Sequence, residues 1–123
     1  MITGLLVCVA GGLGAVARFV LDGVVSSRTR ARYPVGTTAI NLSGSLLLGV
    51  VLGLALGQVI SERWQIVLGA GFLGGYTTFS TASVDTVRLL QAHRWGAAVA
   101  NAFGMLLASL LLAAAGLWVG LWL

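Results

Sequence analysis

GFLGGYTTFSTAS, residues 71–83, stands inside a long apolar run and carries three glycines and six hydroxyl side chains: Tyr76, Thr77, Thr78, Ser80, Thr81 and Ser83. Lipid offers no water to satisfy such groups, so a spanning helix should avoid them. The adjacent Gly74 and Gly75, followed by Tyr76, Thr77 and Thr78, weaken helix propensity and predict a break at the midpoint of a membrane helix. Irregular backbone at that depth persists only where it is buried in protein or lines a polar cavity. A broken helix ends its first half on free carbonyls, suited to a cation, and opens its second on free amides, suited to an anion. Gly74 and Thr77 are the natural carbonyl donors, and residues 79–82 would open the second half. A plainer reading has each hydroxyl bonding back to the carbonyl four residues earlier. One threonine fits that easily; five Ser or Thr among positions 77–83 fit it poorly, which favours a pathway or ion site.

The rest of the chain is of the same kind. It has 123 residues, 59% of them hydrophobic and only 8% charged, with a mean hydropathy of +1.03. Such a composition excludes soluble globular domains and identifies an integral membrane protein. Charge-free runs at residues 1–17, 33–61, 64–84 and 95–123 can each span a hydrocarbon core, which needs about 20 apolar residues. The expected fold is all-α: four transmembrane helices at about 2–21, 35–57, 65–90 and 95–121, forming one membrane domain over residues 1–123. No basic residue precedes the first run, so it is expected to be a retained helix and not a cleaved leader. The lone Cys8 supports no internal disulfide and no redox role. All seven basic residues are arginines flanking the helices, an arrangement that suits interfacial anchoring and topology and not nucleic-acid binding.

Four helices enclose little interior, so an aqueous path requires oligomerisation. Gly49, Gly53 and Gly57, four residues apart, form a ridge that would let another backbone approach, either in a second subunit or within the same one. Polar residues elsewhere fall into stripes. Thr37, Asn41 and Ser45 share one face of the second helix by their i, i+4, i+8 spacing. Asn101 and Ser109 share a face of the fourth, with Met105 between them; Asn101 alone reads as interhelical glue. Neither stripe carries a carboxylate. Hydroxyls and amides without a fixed charge suit a small, strongly hydrogen-bonding ion that must not be trapped. Arg18 and Asp22 can pair with each other, or Arg18 can face a vestibule. Asp85 is either functional or a local ion pair with Arg88. No motif for a metal-bound, nucleophilic or phosphate-binding enzyme site is present, so the chain is not expected to be an enzyme.

These residues resemble the small bacterial fluoride channels, the Fluc or CrcB family. The resemblance rests on GGLGAVARF (Gly11–Phe19), GTTAINLSGSLLLG (Gly36–Gly49), GFLGGYTTFST (Gly71–Thr81), and a fourth helix carrying Asn101 and Ser109. It implies an antiparallel, dual-topology dimer in the bacterial inner membrane, with two fluoride pores and a structural sodium ion at the dimer interface. It implies that sodium is held by the carbonyls of Gly74 and Thr77. By motif position Asn41 would donate to fluoride and Phe79 would present its positive ring edge. Thr37, Ser80, Thr81 and Ser109 match the hydroxyl track, and Arg18 matches a vestibule arginine. The implied activity is passive export of cytoplasmic fluoride.

Three positions depart from that family's pattern: Ala82 where a second phenylalanine is usual, Met105 for a common serine, and Asn101 for a common tyrosine. The first and third loops should lie on one side, carrying Arg28, Arg30, Arg32 and Arg94 with Arg88 nearby, against Arg63 alone on the other. Such bias favours a single orientation. It suggests one member of a heterodimer with an oppositely inserted paralogous subunit, one pore of which is impaired by Ala82 and Met105. Two readings from other classes compete. A proton-coupled small multidrug-type exporter needs an acid in its first helix, and residues 1–17 have none; a non-conducting membrane scaffold subunit draws on Ala82 alone.

Overall fold

The computed structural model describes all 123 residues, Met1–Leu123, and every regular element in it is helical. Helix α1 is Ile2–Arg28 and α2 is Val35–Leu56. Helix α3 covers residues 62–76, with its middle turns, Val67–Leu73, widened to π geometry. Helix α4 is Phe79–Gln91, and α5 is Trp95–Trp122, with π turns at Ala100–Gly104. Three of these helices, α1, α2 and α5, are unbroken and apolar enough to cross a membrane. The expected third span is divided between α3 and α4.

The break falls within the expected stretch, and the second half opens at Phe79 as expected, but the glycines themselves are not where the helix gives way. Gly74 keeps helical angles (φ −63°, ψ −38°), while Thr77 (φ −77°, ψ 159°) and Thr78 (φ −147°, ψ 121°) are extended. The glycine beside it serves a different purpose: a Cβ on Gly75 would overlap the carbonyl of Gly11, and one on Gly14 would overlap that of Phe72. These glycines let the backbones of α1 and α3 touch. Helix α1 also runs a full turn and more beyond the expected Leu21, ending at Arg28, because nothing in 22–28 forbids helix and the chain first turns extended at Thr29.

The glycine ridge of α2 is used inside the subunit. Gly49 and Gly53 pack against the α5 backbone at Ala113, Leu117 and Gly120, and Gly116 and Gly120 of α5 pack against Leu46, Val50 and Gly53 in return. Gly57 falls outside this contact and ends the helix. The α2–α5 pair is thus a close small-residue packing of the kind membrane helices use. A small core of Ile40, Leu73 and Tyr76, bordered by Ala17, Leu21, Val51 and Phe72, joins α1, α2 and α3.

Only 20 of the 123 residues are buried, and large apolar side chains are exposed along every long helix. In a membrane those surfaces face lipid or another subunit, so little burial within one chain is the expected condition and not a defect. The first and third loops do meet at one end, where an Arg94 guanidinium nitrogen donates to the Arg32 carbonyl.

Candidate functional site

The site is built around the groups the break releases. In a continuous helix the Thr78 amide would bond to the Gly74 carbonyl. Instead the Thr78 N–H donates to Asn41 Oδ1 at 2.8 Å, and Asn41 Nδ2 donates to the Thr78 carbonyl at 2.8 Å. One buried side chain on α2 therefore partners both main-chain polar groups of a residue removed from helical pairing. Without it a donor and an acceptor would be stranded, each costing about 1–3 kcal/mol. The second hydrogen of the same Nδ2 points to Met105 Sδ on α5, at 3.2 Å. The Asn41 amide thus has no free donor in this arrangement.

The break also leaves two carbonyls bare. Neither Gly74 nor Thr77 has its oxygen hydrogen-bonded within the chain: the Thr78 amide has gone to Asn41, and the Thr81 amide to Thr78 Oγ1 at 3.1 Å. Bare carbonyl oxygens fit a small hard cation. Two are an incomplete set, and no group of three His, Cys, Asp or Glu side chains stands near enough together to complete it. The two oxygens fit part of a cation's coordination shell and not the whole of it.

The hydroxyls divide between the two sequence readings. Thr77 donates back to Leu73 O, Ser83 to Phe79 O and Thr86 to Ala82 O, each at 2.9 Å, as local back-bonding requires. Thr78, Ser80 and Thr81 behave differently. Thr78 Oγ1 caps α4, lies 3.1 Å from Thr81 Oγ1 and lies 3.3 Å from Ser80 Oγ, forming a compact cluster at the start of that helix.

Beside the break, α2, α3, α4 and α5 wall a groove of about 580 Å³. Asn41, Gly74, Thr77, Phe79 and Ser109 line it, with Ser45, Ala82, Asn101 and Met105. Thr37, Ser80, Thr81 and Arg18 lie outside it. The groove is open on one side, and Phe79, 88% exposed, stands on its margin. Asn101, 1% exposed, donates from Nδ2 to the Ala82 carbonyl at 3.1 Å and to Thr86 Oγ1 at 2.9 Å. It ties α5 to α4, while its Oδ1 is buried without a partner. Ala82, Asn101 and Met105, the three departures noted in the sequence, thus meet on one wall.

The remaining charged candidates resolve simply. Thr37 donates to Asp85 Oδ2 at 2.9 Å. The Asp85–Arg88 contact is 3.8 Å long, with Arg88 74% exposed, and such a pair contributes little. Arg18 and Asp22 form no ion pair: Asp22 has Ser26 Oγ at 3.5 Å, and Arg18 Nε is buried with no partner. The stripe 37–41–45 found the right face of α2. Nothing in the sequence signalled that Asn41 would clamp a backbone, that Met105 would accept from it, or that π turns in α3 and α5 would set the two sides of the groove.

A family model described as CrcB-like protein, Camphor Resistance (CrcB), matches residues 5–117. The chain is 54% identical over 116 residues to the fluoride-specific ion channel FluC 1 of Leifsonia xyli subsp. xyli, covering 94% of this chain and 85% of that one. It is 47% identical over 119 residues to the fluoride-specific ion channel FluC 2 of Cutibacterium acnes, covering 96% and 97%. Against the fluoride-specific ion channel FluC 3 of Bifidobacterium longum it is 44% identical over 96 residues, covering 78% and 79%.

Proposed function

The chain belongs to the CrcB family, and we infer from that membership that it is a fluoride channel, not an enzyme, through which cytoplasmic fluoride leaves passively down its gradient. Undissociated HF enters a cell from acidic surroundings and ionises inside, so an open, selective path is sufficient for export. Dehydrating fluoride in a low-dielectric site is costly, and a series of hydrogen-bond donors along the path offsets that cost. Chloride, larger and a weaker acceptor, gains less from the same donors.

The observation that carries the site assignment is the groove beside the Thr77–Thr78 break, in whose largely apolar wall Asn41 and Ser109 stand with Phe79. Fluoride passes along this groove, with Thr37, Ser80 and Thr81 extending the track beyond it and Arg18 drawing anions to its mouth. The groove is open on one side and Phe79 stands exposed beside it, so a second surface is required to enclose a path. That surface comes from a second copy or a paralogous subunit inserted in the opposite orientation. A sodium ion between the subunits is supported by the bare carbonyls of Gly74 and Thr77, which a partner's matching carbonyls would complete.

A paralogous partner is favoured over a second copy. The arginine bias between the two ends favours one orientation. Ala82 removes half of an aromatic pair, and Met105 occupies a hydrogen of Asn41 that an anion would otherwise use. The complex resides in the bacterial inner membrane. Fluoride release from liposomes, followed with a fluoride-sensitive electrode, is expected from the chain coexpressed with its partner and is expected to be weak from the chain alone. Full activity of the chain alone, inserted in both orientations, would overturn the heterodimer. No flux under either condition would overturn the channel and leave the scaffold or exporter reading.

A further inference from the structure

We propose that the arginine-rich end of the helix bundle holds the phosphate of an anionic phospholipid, at a site separate from the ion path. The first loop crosses the third there, pinned by the hydrogen bond from Arg94 to the Arg32 carbonyl. Between these loops and the last turns of α4 lies a cavity of about 560 Å³, whose lining includes Arg32, Arg88 and Arg94 with Tyr33 and Asp85. Ligand clefts typically measure about 300–1,000 Å³.

The charge in this cavity is unbalanced. Asp85 is its only carboxylate, 14% exposed and turned inward to accept from Thr37 at 2.9 Å. The long Asp85–Arg88 contact is the single salt bridge of the chain, so the guanidinium groups of Arg32 and Arg94 face no carboxylate at all. Three planar forks around one cavity suit a phosphate, which they can engage in paired hydrogen bonds. Arg28 and Arg30 add positive potential at the same end.

Position selects a lipid over a soluble anion. The cavity sits where the membrane helices end, and the exposed Val87 and Trp95 stand next in sequence to its lining residues Arg88 and Arg94. Tryptophan favours that interface, and apolar helix surface below it accommodates acyl chains. Basic pockets between helix ends on the arginine-rich face are suited to anionic headgroups.

The test is native mass spectrometry on the full chain in neutral detergent, with phosphatidylglycerol and phosphatidylcholine of identical acyl chains compared. Phosphatidylglycerol is expected to bind at least about fivefold more tightly, and R88Q to lower that affinity about fivefold. R32Q, whose main-chain carbonyl still receives Arg94, is expected to repeat the loss, while R63Q at the opposite end leaves binding unchanged. Equal binding of the two lipids would overturn the proposal, as would an R63Q effect as large as that of R88Q. Unchanged binding in both R88Q and R32Q would do the same. Displacement of the lipid by an equal concentration of inorganic phosphate would assign the site to the free anion instead. None of these results depends on fluoride flux.

Discussion

Asn41 joins the fold to the proposed ion path, because the same amide closes the helix break and borders the groove. N41A leaves the Thr78 N–H and carbonyl without partners, each costing about 1–3 kcal/mol. Loss of several kcal/mol of stability in a detergent or thermal unfolding titration is the expected outcome, accompanied by loss of fluoride flux. N41D separates the two roles: it keeps the acceptor for the Thr78 amide and removes the donors, so flux should fall further than stability. Met105 gives the complementary test. M105L keeps nearly the same volume and removes the sulfur that accepts from Asn41, and volume-conserving changes of this kind cost less than about 1.5 kcal/mol. With one Asn41 hydrogen left unpartnered, the total loss of stability should stay below about 3 kcal/mol while flux per channel rises; an unchanged flux would show that the Asn41–Met105 contact does not limit conduction. The stripe of Thr37, Asn41 and Ser45 was readable from spacing alone. The partners of these residues were not, since a hydrogen bond from α2 to a backbone 37 residues away has no local signature.

At the scale of elements, two sets of glycines hold the bundle together and the break is a separate feature. Gly75 against Gly11 fixes α1 to α3, and Gly116 against Leu46 fixes α5 to α2; in each case an added Cβ would strike backbone, which cannot move aside as a side chain can. G75A and G116A are therefore expected to cost more than about 3 kcal/mol each or to prevent assembly, read as loss of a monodisperse peak in size-exclusion chromatography. G96A meets nothing nearby and should be neutral or stabilising, by up to about 1 kcal/mol, because alanine is the better helix former. Sequence reasoning saw that residues 71–83 could not be an ordinary helix, but assigned the break to the glycines because propensity was the only force in view. Tertiary packing reverses the assignment. Gly75 stays helical where it meets Gly11 of α1, and a substitute hydrogen-bond partner exists at Thr78, opposite Asn41. The π turns of α3 and α5 were equally invisible, being settled by packing across helices.

For the whole molecule, the governing fact is how little one chain buries. The groove has one side open with an 88% exposed Phe79 on its margin, and the carbonyls of Gly74 and Thr77 at the break are bare. Under the proposed assembly, association with an oppositely inserted subunit would complete both. Sodium removal should therefore weaken association and flux together, and replacing sodium with a large organic cation during purification is expected to shift the dimer toward monomer. The arginine asymmetry adds that the chain should insert with residues 29–34 and 92–94 in the cytoplasm, measurable by cysteine labelling of a single introduced site in each loop. Composition alone made the membrane class and the three unbroken spans legible, because hydropathy is additive along the chain. Assembly is not additive in that way, and the assembly proposed for this chain rests on the resemblance and on the open side of the groove. The most direct test of the account is anion release from liposomes containing the chain with its partner, with fluoride and chloride followed side by side. Rapid fluoride release with chloride retained is the predicted result; equal release of both ions, or release of neither, would contradict it.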